Sequence, residues 1–190
     1  MTYKEYCNGF SIDFLQFPNK NVVIKPRFGR GGRGVYVLTQ MIDMTTMLSS
    51  KPYNIFSQKH FRDLLCGQGE QDTFEDLIVM EELQAPFHSA YTLVQENQVV
   101  TLDHVREWGT ASQTLRGVVC YDSDIEYFAN VLVREYKLQF TFNIELATNN
   151  QGKLVLFDLN PRIGASSGID KDLGVNFPYF SLKILKLSFE

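Results

Sequence analysis

The sequence predicts an α+β fold with antiparallel strands, and three observations indicate it. Two runs of β-branched residues flank a glycine-rich loop at 22–38, and two later pairs of strand-like runs are joined by short turns. A segment with helical periodicity at 122–138 lies between those two pairs. The 190 residues are enough for one core or for two small lobes.

Composition places the chain among ordinary globular proteins, with 44 % hydrophobic and 21 % charged residues. A formal net charge of −4 provides no global basic field for nucleic acid, and no apolar run reaches the length of a membrane span. The N-terminus lacks a signal-peptide pattern. Three scattered cysteines without CxxC spacing argue against a disulfide framework or a zinc site. We therefore expect a soluble, cytoplasmic protein without nucleic-acid or membrane partners.

The first part of the chain is expected to alternate strands with helices. The predicted elements are strands at 22–25 and 34–38, helices at 39–50 and 54–67, and a buried strand at 77–83 that ends in acidic residues. Gly67 is expected to end the second helix. Pro86 is expected to mark the joint between two lobes.

The second part is expected to form two hairpins around one helix. The predicted elements are a hairpin of 88–95 with 99–107, a mobile loop at 108–114, a helix at 122–138, a hairpin over 139–162, and a helical tail at 169–190 broken at Pro178. The helix is the clearest of these, because Asp122 or Ser123 can cap it. Its apolar residues share one face: Ile125, Phe128, Ala129, Leu132 and Val133.

The loop in VVIKPRFGRGGRGVYVL predicts a phosphate-binding flap. Its glycines match G-x-G-x-x-G, but strand-forming residues follow them, whereas a dinucleotide fingerprint needs a helix there. The P-loop lysine–serine/threonine pair is missing, and a kinase flap has its lysine downstream, whereas Lys25 lies upstream. The remaining interpretation is a strand–loop–strand flap whose backbone amides and Lys25 contact phosphate. The alternative is a surface hairpin with solvated arginines.

The second motif, FNIELATNNQGKLVLFDLNPR, predicts two opposed acids. A two-residue turn at Gln151 and Gly152 would pair Glu145 with Asp158, and Asn143 with Asn160. The same register places the apolar side chains on one face of the hairpin, formed by Phe142, Ile144, Leu146, Val155, Phe157 and Leu159. Opposed carboxylates repel each other, and Mg²⁺, which prefers oxygen ligands, would remove that penalty. The alternative is a solvated polar face.

Together these stretches resemble the ATP-grasp superfamily, most closely its carboxylate–amine ligases similar to the carbamoyl-phosphate synthase large chain. The glycine flap, the block LIVMEELQAPFHSAYTLV and the hairpin ending in Asn-Pro-Arg occur in the family's order. The resemblance implies two lobes that clamp ATP, with the flap and hinge in 1–83 and the magnesium site in 84–190. It also implies a ligase that activates a small-molecule carboxylate as an acyl-phosphate for attack by an amine or a similar nucleophile.

The resemblance implies a role for each matching residue. The expected set is Lys25, Gly29, Gly31, Gly32 and Gly34 for the ATP phosphates, Glu81, Glu82 and Leu83 for adenine, Glu145, Asp158 and Asn160 for Mg²⁺, and Arg106 and Arg162 for substrate and the transferred phosphoryl group.

Two departures from the family pattern limit what the resemblance implies. Phe87 lies where these ligases usually place a glutamate that binds ribose, and little sequence precedes the flap, where they carry a substrate-binding domain. A separate chain supplying that domain is therefore an expected partner. The alternative function is a non-catalytic or regulatory nucleotide-binding subunit.

The three histidines are not expected to bind metal. His60, His88 and His104 lack metal-ligand spacing, so each is expected to be structural or exposed.

Overall fold

A computed structural model describes residues 5, 12, 21–28, 33–40, 55–67, 76–96, 98–110, 113–164, 167–172 and 174–187. The chain divides into two compact units, Met1–Leu83 and Gln84–Glu190. Within the described ranges, no helix is both long and apolar enough to cross a membrane. Residues 41–50 of the helix predicted at 39–50 lie outside the described residues, whereas Thr39 ends the strand Tyr36–Thr39. The predicted phosphate-binding glycines Gly29, Gly31 and Gly32 also lie outside the described residues.

The first unit contains a four-stranded sheet. Its elements are β1 (Asn21–Pro26), β2 (Tyr36–Thr39), β3 (Ile55–Ser57), α1 (Gln58–Cys66) and β4 (Leu77–Glu81). The strand order is β3-β2-β1-β4; β1 is antiparallel to both of its neighbours, whereas β2 and β3 are parallel. Because side chains alternate along β1, Val22 and Ile24 are fully buried, and Lys25 lies on the other face of the sheet.

The helix predicted at 54–67 begins later than expected. Ile55 and Phe56 pair with β2, since aromatic and β-branched residues favour a strand. The Ser57 hydroxyl then caps α1 by accepting from the amide of His60 at 3.2 Å. Cys66 is disulfide-bonded, contrary to the expectation from cysteine spacing.

The second unit contains a five-stranded antiparallel sheet in the order β7-β6-β5-β8-β9. Its elements are β5 (Gln84–Gln95), β6 (Gln98–Thr110), β7 (Gln113–Cys120), α2 (Ser123–Tyr136), β8 (Phe140–Thr148), β9 (Leu154–Asn160), α3 (Gly168–Asp172) and α4 (Phe177–Leu187). The β5–β6 hairpin, the β8–β9 hairpin and the capped helix α2 confirm the sequence predictions.

The two faces of this sheet are covered differently. The face under α2 forms the apolar core, made of Ala90, Val94, Ile125, Ala129, Leu132, Val133, Phe142, Ile144 and Leu146. On the other face, Tyr91 packs against Phe177 at the start of α4, with ring centroids 5.8 Å apart. The Thr141 and Ser181 hydroxyls hydrogen-bond between β8 and α4. Alternate residues of β8 therefore contact two different elements, with Phe142 and Ile144 packing under α2 and Thr141 contacting α4.

Pro86, which was expected to mark the joint between two lobes, is the third residue of β5, and the two units divide just before this strand. Two local predictions in this unit are wrong. The loop expected at 108–114 is instead the end of β6 and the start of β7, where Thr110 pairs with Gln113. Pro178 lies in the first turn of α4, where proline needs no amide partner, so it does not break the helix.

Substitutions at Ile144, which is fully buried, should show which face of β8 is the core. We expect Ile144→Val to lower the free energy of unfolding by about 0.5–1.5 kcal/mol and Ile144→Ala by about 2–5 kcal/mol, because each leaves a larger cavity. Urea unfolding followed by circular dichroism measures both. The control is Val118→Ala, at a side chain 50 % exposed, which should cost less than about 0.5 kcal/mol. Equal costs for Val118→Ala and Ile144→Ala would contradict this assignment.

Candidate active site

The opposed acids predicted in the last hairpin are present. Glu145 of β8 pairs with Asp158 of β9, and Asn143 pairs with Asn160. The predicted two-residue turn is wrong, because β8 ends at Thr148 and β9 begins at Leu154. A register shift between Glu145 and Leu146 adds one residue to β9. This bulge offsets the different turn, so the predicted pairing of the acids is kept.

The bulge changes which residues of β9 face the core. Leu159 packs against the core cluster as predicted, whereas Leu154 and Leu156 do so in place of the predicted Val155 and Phe157. The ring of Phe157 instead lies edge-on to that of Phe87, with centroids 6.3 Å apart. Two consecutive residues of β9, Phe157 and Asp158, are thereby placed opposite Glu145.

Three of the predicted metal ligands form one polar group on this face. The Asn160 amide nitrogen donates to the Asp158 carboxylate at 2.9 Å, and Glu145 lies across the ladder from Asp158. All three side chains are partly exposed. The neighbouring Asn143 is buried and donates to the Ser89 hydroxyl at 3.1 Å and the Ala90 carbonyl at 3.2 Å. Asn143 therefore holds strands together, whereas the other three are accessible.

Arg106 and Phe87 extend the same face of the sheet. The Arg106 guanidinium lies 5.5 Å from the centre of the Phe87 ring and donates from Nε to the Thr114 hydroxyl at 3.0 Å. Phe87 thus contacts a cation on one side and Phe157 on the other. A cation that is both stacked and hydrogen-bonded is held in one orientation.

Arg162 follows the polar group in a tight turn. Its backbone amide donates to the Asn160 carbonyl at 2.7 Å, and its guanidinium donates to the Ile163 carbonyl at 3.1 Å. A Cβ at Gly164 would overlap the hydroxyl oxygen of Tyr91, so the close approach of the chain to this ring favours glycine. The sequence analysis did not identify this close approach.

The predicted nucleotide-binding residues of the first unit occupy strand ends. Lys25 lies near the end of β1, paired with Ile78. Gly34 has φ +75°, and a Cβ there would lie 2.8 Å from the Pro26 ring. Glu81 ends β4, and Glu82 and Leu83 follow it. The Glu82 carboxylate accepts from the Asn21 amide at 2.9 Å.

His104 anchors α3 against the sheet. Its Nδ1 lies 2.8 Å from the Ser89 carbonyl oxygen, and its Nε2 hydrogen-bonds the Asp170 carboxylate. Both side chains are buried. Burial lowers the pKa of His104, but the hydrogen bonds to Asp170 and Ser89 and the charges of Asp170 and Asp103 outweigh it, so the net pKa is raised. Since Ser89 is the ladder partner of Glu145, this anchor supports the strand beneath the acids.

A protein-family model matches residues 73–188 of this chain, more than half of it. The family is described as ATP-grasp in the biosynthetic pathway with Ter operon. The matched residues include the whole acidic hairpin, whereas the glycine-rich loop lies before them. A search of curated proteins found no match.

Solved structures of other proteins share the fold at low sequence identity. D-alanyl-alanine synthetase A from Vibrio cholerae is 11 % identical, with a TM-score of 0.58 over 91 % of this chain and 54 % of that one. The biotin carboxylase domain of Hydrogenobacter thermophilus 2-oxoglutarate carboxylase, in complex with MgADP, is 16 % identical, with a TM-score of 0.57 over 86 % and 36 %. An N5-carboxyaminoimidazole ribonucleotide synthetase in complex with ADP is 15 % identical, with a TM-score of 0.53 over 81 % and 37 %. This chain thus spans between about a third and a half of each of these proteins.

The raised pKa of His104 predicts that part of the stability depends on pH. This contribution is fully present below the ordinary pKa of 6.5 and is lost as pH rises through the raised folded value. We expect His104→Gln to flatten the fall in melting temperature between about pH 6 and about pH 9. The exposed His60 supplies the control, because His60→Gln should retain the wild-type profile. A wild-type slope retained in His104→Gln would refute this role.

Proposed function

The chain belongs to the ATP-grasp family of the biosynthetic pathway with Ter operon, and from that membership we propose that it is an ATP-dependent ligase that uses Mg²⁺. The observation that carries the proposal is the Glu145–Asp158 pair, with Asn160 hydrogen-bonded to Asp158, on the hairpin that the family model matches.

The residues present fit a magnesium ion. Glu145, Asp158 and Asn160 supply oxygen atoms, and Mg²⁺ is commonly bound by one or two carboxylates together with substrate phosphates and water. Two carboxylates opposite each other across a ladder repel, and a divalent cation converts this repulsion into binding. When bound, the ion would neutralise charge on the phosphates. The repulsion between the Glu145 and Asp158 carboxylates therefore favours a metal site over a merely solvated polar face.

We propose that four individual residues bind the phosphates and the substrate. Lys25 would contact the phosphates of ATP, and Gly34 would let the flap backbone approach them, as the family resemblance implies. Arg162 would contact the transferred phosphoryl group, because it lies two residues after Asn160 in the chain and thus close to the proposed metal ligands. Arg106, held by Phe87 and Thr114, would orient an anionic substrate.

The proposed reaction is the activation of a carboxylate. The substrate carboxylate attacks the γ-phosphate, ADP leaves, and an amine then displaces phosphate from the acyl-phosphate. The protein contributes charge neutralisation and alignment in such a transfer and forms no covalent bond of its own. Phe87 cannot accept hydrogen bonds from ribose, so adenine contacts by Glu82 and Leu83 would determine nucleotide selectivity.

The substrates and partners are part of the proposal as well. Because the chain spans about a third to a half of the structures that share its fold, we propose that a further segment or a separate chain supplies the pocket for the carboxylate and the amine. The substrate class, a small carboxylate with an amine acceptor, is inferred from the family resemblance.

Replacing Asp158 tests the magnesium site. We expect Asp158→Asn to weaken Mg²⁺-dependent ATP binding roughly 100-fold, because one ligand charge is lost. Calorimetric titration with ATP at saturating Mg²⁺, and again in chelator, measures the metal-dependent part. Asp172→Asn changes the charge equally at an exposed position and should bind as the wild type does. Metal-dependent binding that survives in Asp158→Asn would move the site elsewhere.

Replacing Lys25 tests the flap separately. Lys25→Ala should lower ATP affinity about 10- to 100-fold, the usual value of a hydrogen bond between charged groups. AMP, which lacks the outer phosphates, should lose much less affinity. Lys59→Ala, at an exposed site on α1, is the charge-matched control. Equal ATP affinities for Lys25→Ala and Lys59→Ala would remove Lys25 from the phosphate site.

Turnover distinguishes a ligase from a nucleotide-binding subunit. We expect ADP release from the wild type when pooled carboxylates and amines are supplied with ATP and Mg²⁺, together with the chain encoded beside it. Asp158→Asn should release none. Tight ATP binding with no ADP release in any such mixture would refute the ligase and support the regulatory alternative.

A further inference from the structure

A second group of ligating side chains lies on the opposite face of the five-stranded sheet from Glu145. His88 of β5, Asp103 of β6 and Cys120 at the end of β7 lie side by side on three neighbouring strands. One potential ligand atom from each lies within 4.8 Å of the other two. Among the described residues, this is the one group of three histidine, cysteine or acidic side chains so arranged.

Asp103 is at the centre of this group. Its Oδ2 lies 2.8 Å from Nδ1 of His88 and accepts from the Cys120 thiol at 2.9 Å. Asp103 is 3 % exposed, and its Oδ1 has no hydrogen-bond partner among the described residues. A buried carboxylate oxygen without a partner is costly, and a cation bound at Oδ1 would remove that cost.

The open side of the group borders a cavity of about 190 Å³. Asp103 and Cys120 line it, together with Asp122 and Glu126 at the start of α2. The cavity therefore gives an ion and its water molecules access to the two strand ligands, and its other walls add negative charge.

We propose that His88, Asp103 and Cys120 bind one zinc-class transition-metal ion, with water from the cavity in the fourth position. Imidazole, carboxylate and thiolate are the three protein ligands of zinc, whereas Mg²⁺ avoids sulfur. Tetrahedral binding needs ligand atoms about 3.5 Å apart. The group must therefore open by less than about 1 Å from its hydrogen-bonded arrangement.

Burial and the Asp103 carboxylate act on both neighbours of Asp103. Burial, the hydrogen bond to Asp103 and its charge raise the pKa of the Cys120 thiol to about 12. The hydrogen bond to Asp103 likewise raises the pKa of His88, against the effect of burial. A divalent ion would add positive charge beside the buried Asp103 carboxylate. Because the ligands come from three strands, the ion would stabilise this edge of the sheet.

The test uses the whole chain, freed of any affinity tag and of metal. Calorimetry should show one Zn²⁺ bound per chain, not displaced by a large excess of Mg²⁺, and Zn²⁺ should raise the melting temperature. Co²⁺ should give the absorption band of a cobalt–thiolate bond. Cys120→Ser should abolish that band and weaken Zn²⁺ binding roughly 100-fold. His88→Gln should also weaken Zn²⁺ binding roughly 100-fold. The exposed His60 provides the control, since His60→Gln should change neither.

Three outcomes would overturn the proposal. They are the absence of stoichiometric Zn²⁺ binding, the absence of a thiolate band with Co²⁺, and unchanged affinity in Cys120→Ser. If Cys120→Ser does not fold, X-ray absorption of the wild-type zinc complex decides, because a sulfur ligand must be present. Asp158→Asn should keep full Zn²⁺ affinity, so this site and the proposed magnesium site succeed or fail independently.

Discussion

The alternation of side chains across the antiparallel sheet of the second unit is the constraint on which its chemistry depends. Along β5, His88 and Ala90 face the α2 side, whereas Ser89 and Tyr91 face the side of Glu145. A shift of one residue in any ladder would exchange these surfaces. The same hydrogen bonds therefore fix both the accessible acids and the buried group around Asp103.

The β-bulge in β9 allows the turn at 149–153 and the pairing of Glu145 with Asp158 to occur in the same hairpin. The turn is closed by the amide of Asn149 donating to the Lys153 carbonyl, and the Asn149 side chain accepts from the amides of Gln151 and Lys153. That local chemistry favours a longer turn than the two-residue form. One extra residue in β9 then brings Asp158 opposite Glu145. Bulges beside active sites commonly redirect a side chain in this way.

Two buried pairs of polar side chains lie on opposite faces of the sheet, His104 with Asp170 on the face of Glu145 and His88 with Asp103 on the face of α2. His104 is satisfied at both ring nitrogens, so it acts as an internal brace between β5 and α3. Asp103 and Asp170 each keep one buried carboxylate oxygen without a hydrogen-bond partner among the described residues, and Asp103 in addition lines a cavity. The unpartnered oxygen beside a cavity is therefore the feature that favours a ligand site at Asp103.

The sequence by itself determined the local elements and the acidic hairpin. Period-two alternation and turn residues predict β5, β6, β8 and β9, and capping with helical spacing predicts α2, because these signals act between residues close in the chain. The pairing of Glu145 with Asp158 was predicted from a two-residue turn that the structure does not have, and the β-bulge in β9 restores it. The resemblance to ATP-grasp ligases, carried by these motifs, agrees with the family that the chain matches.

Only the tertiary structure decided which distant residues meet. His88, Asp103 and Cys120 have no ligand spacing in the sequence, yet three adjacent strands bring them together. Likewise, His104 reaches Asp170 across 66 positions, and Phe157 moves to the face of Phe87 because of a bulge. Strand order and register arise from packing of the whole sheet, so no short-range pattern specifies them.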